Sequence, residues 1–310
     1  MLEEHPFISG LFKRSVQLYF IVCSLVSPAG DTAAQHGHAF QISRFRDMSH
    51  SLHSLPKASA ALVLGHPGHE LRVYGWTHSV RPLTFVITDG SGTSGISRLN
   101  ATTEILEKLG ASIGTVYGRF TDRAIYETML ARSLDPLCEV VESIAAALID
   151  AEIEMVVSDA SEGYNPTHDI CFELTQAAVE LVRKRTHRTI HRYSFCLTEW
   201  EGCVPSQTAE DAIHLELDDA CLYNKIEAAR SYIELRDEVD RALACKGIEY
   251  FRKETLIPSA GWTTALENYK PGYEQRGEQR VANGRYTKVL RYKDHLLPIF
   301  RAIRHYVDQN

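Results

Sequence analysis

The chain has 310 residues, 44% hydrophobic and 24% charged, with a net charge of −7 at neutral pH. That is enough apolar chain for one large α/β domain with additions or for two small domains, and an acidic balance with no broad basic excess argues against nucleic acid as a partner. Seven cysteines, an odd number with no Cys-x-x-Cys pair, fit reduced thiols of a cytoplasmic protein better than a disulfide framework.

Lys13 and Arg14 precede an apolar run over 15–26 and then Ser-Pro-Ala-Gly. A positive start, an apolar stretch and small residues have the form of an export signal. The run is too short to span a bilayer comfortably, so no stable membrane insertion is expected. Three readings stay open: an export signal within 13–30, an ordered N-terminal extension, or an upstream extension with the domain starting near Met48. Residues 1–55 are set outside the fold, and the expected location is cytoplasmic unless 13–30 direct export.

The run Ala-Ala-Leu-Val-Leu-Gly at 60–65 reads as a strand buried on both faces, as does 83–88, which ends in Asp-Gly-Ser-Gly. Ile105, Leu106 and Leu109 share one face of a helix over 98–109 that stops at Gly110. A short strand near 112–117, a helix over 136–150, a strand over 153–158, a helix over 168–185 and a strand over 192–197 follow. This alternation implies a mostly parallel sheet with crossover helices. After 215 the pattern changes: 217–244 read as helical, 262–286 as a long ordered loop or lid, and 287–308 as a helix broken near Pro298. The expectation is a Rossmann-like α/β domain over 56–215, with C-terminal helices and a lid-like loop over 216–310 packed on it. No feature of the sequence specifies an oligomeric state.

Ligands of open α/β sheets bind at the carboxyl ends of the strands. Three strand ends here are chemically rich: Gly-His-Pro-Gly-His-Glu at 65–70, Thr-Asp-Gly-Ser-Gly at 88–92 with Arg98 shortly after, and Ser-Asp-Ala-Ser-Glu-Gly-Tyr-Asn-Pro-Thr-His-Asp at 158–169. Converging on one rim, they would bring His66, His69 and His168 together, three imidazoles with room for water, as in a catalytic zinc site. A His-x-x-His pair alone is equally an ordinary pair of loop histidines. Tyr, Trp and Arg are interleaved over 262–286, which suits sugars or phosphates and equally an ordered surface loop.

Together these strand ends resemble the PIG-L/LmbE-type zinc de-N-acetylases, which remove acetyl groups from N-acetylglucosamine-type substrates. The family's Ala-His-Pro-Asp-Asp-Glu stands here as Gly-His-Pro-Gly-His-Glu, and its Thr-Asp-Gly element followed by Arg and Glu stands as 88–98 with Glu104. Its His-Pro-Asp-His stands as Asn-Pro-Thr-His at 165–168, and its later Lys-x-x-Ala pattern ending in Tyr as Lys225, Ala228 and Tyr232. The resemblance implies a zinc-dependent hydrolase acting on a small molecule or glycan, with His66 and His168 as first and last ligands and His69 where the family has an Asp ligand. Imidazole is a good zinc donor, so a three-histidine set is chemically sensible.

Gly68 is the main departure, because it stands where the family has its general base. Asn165 replaces a histidine associated with the oxyanion, and Thr167 replaces the neighbouring Asp. Amide hydrolysis needs a group to take the water proton and return it to the amine. Asp89 and Glu70 are the preferred substitutes, with Glu70 also able to serve as loop support; Asp159 and Asp169 stand nearby. Tyr164 and Asn165 could donate to an oxyanion, and Arg98 could bind a substrate group or be structural. Besides a deacetylase, the chain could be a metal-dependent hydrolase of another bond, or a non-catalytic relative that binds metal or sugar.

Overall fold

The computed structural model describes residues 59–92, 94–198, 212–259, 261–262 and 269–310. The export-like run and the rest of 1–55 lie outside these residues. Strand β1 (Ala60–Leu64) is buried along its whole length, as a fully apolar sequence requires of a central parallel strand. It pairs in parallel with β2 (Leu83–Thr88) on one side and β4 (Met155–Asp159) on the other. Beyond β2 lies β3 (Ser112–Phe120), and beyond β4 lies β5 (His191–Phe195), both parallel. Strands β6 (Ile213–Glu216) and β7 (Lys253–Pro258) complete a seven-stranded sheet of order β3-β2-β1-β4-β5-β7-β6, with β7 antiparallel to both neighbours. The chain starts in the middle, winds outward to β3, then crosses to β4. The strand order therefore reverses between β1 and β4, the crevice where such sheets bind ligands.

Helices cover both faces. Ala61 and Val63 point into a core shared with α3 (Asp122–Ala131), α4 (Asp135–Asp150), α5 (Pro166–Thr186) and α9 (Leu297–Gln309). The alternate residues Leu62 and Leu64 pack on Val73 and Trp76 beside α1 (Tyr74–Val80). Full burial of each such Leu contributes about 1.5–3 kcal/mol. Outside them, α2 (Leu99–Leu109) and α6 (Asp219–Ser231) share a third apolar cluster with Leu235, which precedes α7 (Arg236–Lys246).

Several expectations are corrected. The strand at 112–117 runs on to Phe120 and is followed by the unforeseen α3, whose start is capped by Thr121 accepting the Ala124 amide at 3.0 Å. Within 262–286, residues 272–282 form a helix, α8 (Gly272–Ala282), rather than a loop. Its Tyr273, Glu274 and Gly277 fall on one buried face, and Glu274 accepts the Tyr292 amide at 2.6 Å. Pro298 sits in the first turn of α9, where its missing N–H is harmless, so it opens that helix instead of breaking it. Cys196 is disulfide-bonded, so the expectation of wholly reduced thiols fails there; Cys138, Cys171, Cys221 and Cys245 are free. Among the described residues no helix is long and apolar enough to cross a membrane.

Candidate metal centre

The β1–β4 crevice gathers the histidines. His66 follows β1 after Gly65, and His69 opens a single 3-10 turn, His69–Val73, entered through Gly68 at φ +101°. His168 lies in the first turn of α5, fixed there by Pro166 and by Asn165, whose side chain accepts the Thr167 amide at 2.9 Å. All three are about 95% buried. The ring centroids stand 5.2 Å apart for His66 and His69, 5.6 Å for His66 and His168, and 4.8 Å for His69 and His168.

Two carboxylates hold the outer nitrogens. His69 Nδ1 lies 2.8 Å from Asp159 Oδ2, which also accepts the Gly65 amide at 2.8 Å. His66 Nδ1 lies 3.0 Å from Asp122 Oδ1 and 2.8 Å from Thr88 Oγ1. With Nδ1–H turned to the carboxylate, each ring keeps Nε2 as a lone-pair donor, the arrangement that orients metal-binding imidazoles. Burial works to raise the Asp122 carboxyl. The facing His66 ring, with hydrogen bonds from it, from Thr88 and from the Gly92 amide, overcomes this and holds Asp122 well below the usual carboxylate range.

Burial lowers His69, against the pull of Asp159, and lowers His168 further, helped by the two neighbouring imidazoles. Neutral imidazoles are the form a metal needs. His69, Asp159 and His168 offer ligand atoms all within 4.8 Å of one another. His168 Nδ1 and Asp159 Oδ1 are buried without a hydrogen-bond partner among the described residues. Buried polar atoms are rarely left so, and a cation held by His168 would satisfy its nitrogen. The donor set, imidazole with carboxylate, fits zinc.

The other sequence candidates lie around this cluster. Glu70 is fully buried and turned away from the cluster: its carboxylate accepts the Gly68 amide at 2.9 Å and the Tyr232 hydroxyl, which also bonds Thr102 Oγ1 at 2.6 Å. Burial raises its pKa against these bonds. Asp89 turns into its own loop, accepting the Ser91 amide at 2.9 Å. Arg98 Nε donates to Gly90 O at 2.7 Å, near enough to His69 to bear on its charge. Asn165 Nδ2 lies 3.3 Å from His66 Nε2. Tyr164 is buried under the Arg276 guanidinium, whose carbon is 3.9 Å from the ring centroid. Burial pushes its hydroxyl up to about 12. Glu104 is exposed, and Lys225 is paired with Glu254 at 2.8 Å, so neither belongs to the cluster.

Two side chains escaped the sequence reading. Asp122 had a signal: it follows Thr121 at the end of β3, a fourth strand end on the same rim. Glu238 of α7, far along the chain, had none. It lines a small apolar cavity of about 90 Å³ together with Gly68, Leu197 and Leu235. It is 8% exposed, and its Oε2 is buried with no partner among the described residues. Burial raises its carboxyl to about 7, opposed by Arg241 and Arg98. A larger cleft of about 570 Å³ opens on His66, Asp122 and Asn165.

Fold and cluster together define an α/β protein with a buried histidine–carboxylate centre at the switch point of its sheet. No protein-family model matches this sequence, and no curated protein matches it. Solved structures with a similar chain course include the zinc-inhibited form of the teicoplanin deacetylase Orf2, at 12% identity and a TM-score of 0.47, covering 67% of this chain and 100% of that one. The A40926 pseudoaglycone deacetylase Dbv21 gives 16% identity and 0.46, with 67% and 100% covered. The conserved protein TT1542 from Thermus thermophilus gives 17% and 0.46, with 67% and 97% covered. Likeness at this level does not bear on chemistry, which has to be argued from the residues of the cluster.

Proposed function

We propose that this chain is a zinc-dependent hydrolase that removes the acetyl group from the nitrogen of an amino sugar or a related glycoconjugate. The observation that carries the reading is the convergence of His66, His69, His168 and Asp159 at the switch point, with His168 Nδ1 and Asp159 Oδ1 orphaned. His66, His69 and His168 would hold the ion, with Asp159 behind His69. Bound there, zinc would polarise an amide carbonyl and lower the pKa of its water. Asn165 and Tyr164 are the donors assigned to the developing oxyanion, and Arg98 the residue assigned to a substrate oxygen.

The proton needs an acceptor, because position 68 carries no side chain. Glu70 has both oxygens engaged, and Asp122 is committed to His66 and to the Gly92 amide. Glu238 keeps a buried oxygen unpartnered in the cavity against Gly68, and a carboxyl near 7 suits a base working at neutral pH. We therefore assign it the proton-accepting role. Glu238→Gln should lower kcat by ~10²–10⁴-fold with bound zinc unchanged; an equal loss in Asp89→Asn, with Glu238→Gln active, would move the role to Asp89.

Zinc content measured beside acetate release from N-acetylglucosamine conjugates tests the whole reading. His168→Ala should lose both, and turnover retained without zinc would end it. Gly68 favours one second reading, a relative that binds zinc and sugar without turning over. Zinc uptake with no acetate released from any amide probe would establish that one instead.

A further inference from the structure

The larger cleft has two unlike ends. One is the histidine cluster, presented through His66, Asp122 and Asn165; the other is a wall of cations, Arg276, Arg280, Arg285 and Lys288. Arg276 and Arg280 are four residues apart on α8, so they lie on one face of it. Both are partly buried, while Arg285 and Lys288 in the turn that follows are exposed.

Each guanidinium is held in place by an aromatic ring, not by a carboxylate. Arg276 lies over Tyr164 and donates to its carbonyl oxygen. Arg280 lies 5.0 Å over the Tyr286 ring and donates to its hydroxyl. The acids that could neutralise them are committed elsewhere. Glu274 and Glu278 of the same helix bond Arg291, Glu274 the Tyr292 amide as well, and Glu278 also Lys270. Across the cleft, Glu127 pairs with Arg123 at 2.8 Å and Asp122 with His66. Among the described residues, none of the four wall cations has a carboxylate within ion-pairing distance. Burial and the like charge of Arg280 lower Arg276, against the pull of Tyr164. In a chain of net charge −7, partly buried guanidinium groups steadied on rings and left without counter-ions are pre-organised for an incoming anion.

We propose that this wall is a subsite for an anionic substituent of the substrate, a phosphate or a carboxylate, so that the chain acts on an acidic amino-sugar derivative whose acetamide end reaches the histidine cluster. The assignment of the acetamide end rests on the hydrolase reading; the anion site rests on the wall alone. Arg276 and Arg280 give paired forked donors, and Arg285 and Lys288 supply further charge from the rim.

The test compares three probes on the zinc-loaded full chain: N-acetylglucosamine, its 6-phosphate, and N-acetylmuramic acid as the carboxylate arm. Calorimetric binding and acetate release are measured for each. At least one acidic probe should bind on the order of tenfold more tightly than the neutral sugar, with the preference shrinking as salt rises. Which of the two does so tells phosphate from carboxylate. Arg280→Gln should bring the acidic-to-neutral affinity ratio close to one. The double change Arg285→Gln with Lys288→Gln, on exposed positions that leave α8 intact, should lower the ratio by several-fold. Equal affinity for all three probes, or a ratio unmoved in both variants, would overturn the proposal. Acetate released equally well from neutral and acidic probes would also overturn it while leaving the hydrolase reading standing. Selective, salt-sensitive binding with no acetate released would support the anion site and count against the hydrolase.

Discussion

Position 65 leaves no room for a side chain. A Cβ there would lie 2.8 Å from Asp159 Oδ2 and 3.3 Å from the Thr167 carbonyl oxygen. The backbone cannot give way, so Asp159 would have to move, and Asp159 is what orients His69. On the proposed zinc reading, Gly65→Ala should weaken zinc binding by ~10–100-fold, the usual effect of losing a group behind a metal ligand. Competition with a chelator would measure it, and wild-type affinity would remove Asp159 from that role. Position 68 sets a different limit. Gly68 sits at φ +101°, and a Cβ would come within 3.1 Å of Leu235 Cδ1. Placing a carboxylate there through Gly68→Asp should thus lower stability by roughly 1–2 kcal/mol through backbone strain without raising kcat. A gain in rate would mean that Glu238 is not the proton acceptor.

Among the elements, the β7–α1–α6 junction depends on one buried ion pair. Glu254 of β7 accepts the Gly75 amide at 2.9 Å and the Trp76 amide at 3.0 Å, closing the start of α1, and takes Lys225 of α6 at 2.8 Å. Lys225→Met would leave that carboxylate buried and unpaired, so unfolding in urea should show a loss of about 3–5 kcal/mol. Adding Glu254→Gln should restore part of it; a loss under about 1 kcal/mol in the single variant would mean water already reaches the pair. These elements also explain what the sequence made legible. Strands β1, β2 and β4 carry strongly apolar runs because both faces are covered, so they stand out, and the chemistry at their ends could be read with them. Strand β6 is short and half-polar at the sheet edge, β7 beside it is half-polar too, and α8 carries more charge and glycine than a helix normally shows. Their structure is imposed by tertiary contacts that no local pattern records. The site divides the same way: the histidines lie at legible strand ends, and Asp122 at the end of a strand read three residues too short.

Across the whole molecule, the tie between the β4–α5 loop and the end of β5 is a buried carboxylate. Glu162 is 1% exposed and accepts the Leu197 amide at 2.6 Å, the Thr198 amide at 2.8 Å and the Thr198 hydroxyl. Burial raises it to about 7 in spite of those bonds, with Asp159 adding to the rise. The folded protein thus holds a proton that the unfolded chain, with an ordinary Glu near 4.3, has released. The sign follows from proton linkage: this contribution is fully present below about pH 4.3 and is lost as pH rises through about 7. His69 and His168 are shifted the other way, so the total pH profile mixes opposing slopes. A difference measurement separates them. Glu162→Gln keeps an acceptor oxygen and cannot titrate, while both histidines stay the same in the two proteins and cancel. The stability of the variant relative to wild type should therefore climb from about pH 5 to about pH 7 and then level off, whatever constant offset the amide introduces. Urea midpoints across that range, with m unchanged, measure the difference directly. A difference that stays flat with pH would show that Glu162 titrates normally in the folded protein, and that the loop joining β4 to the α5 histidine admits water.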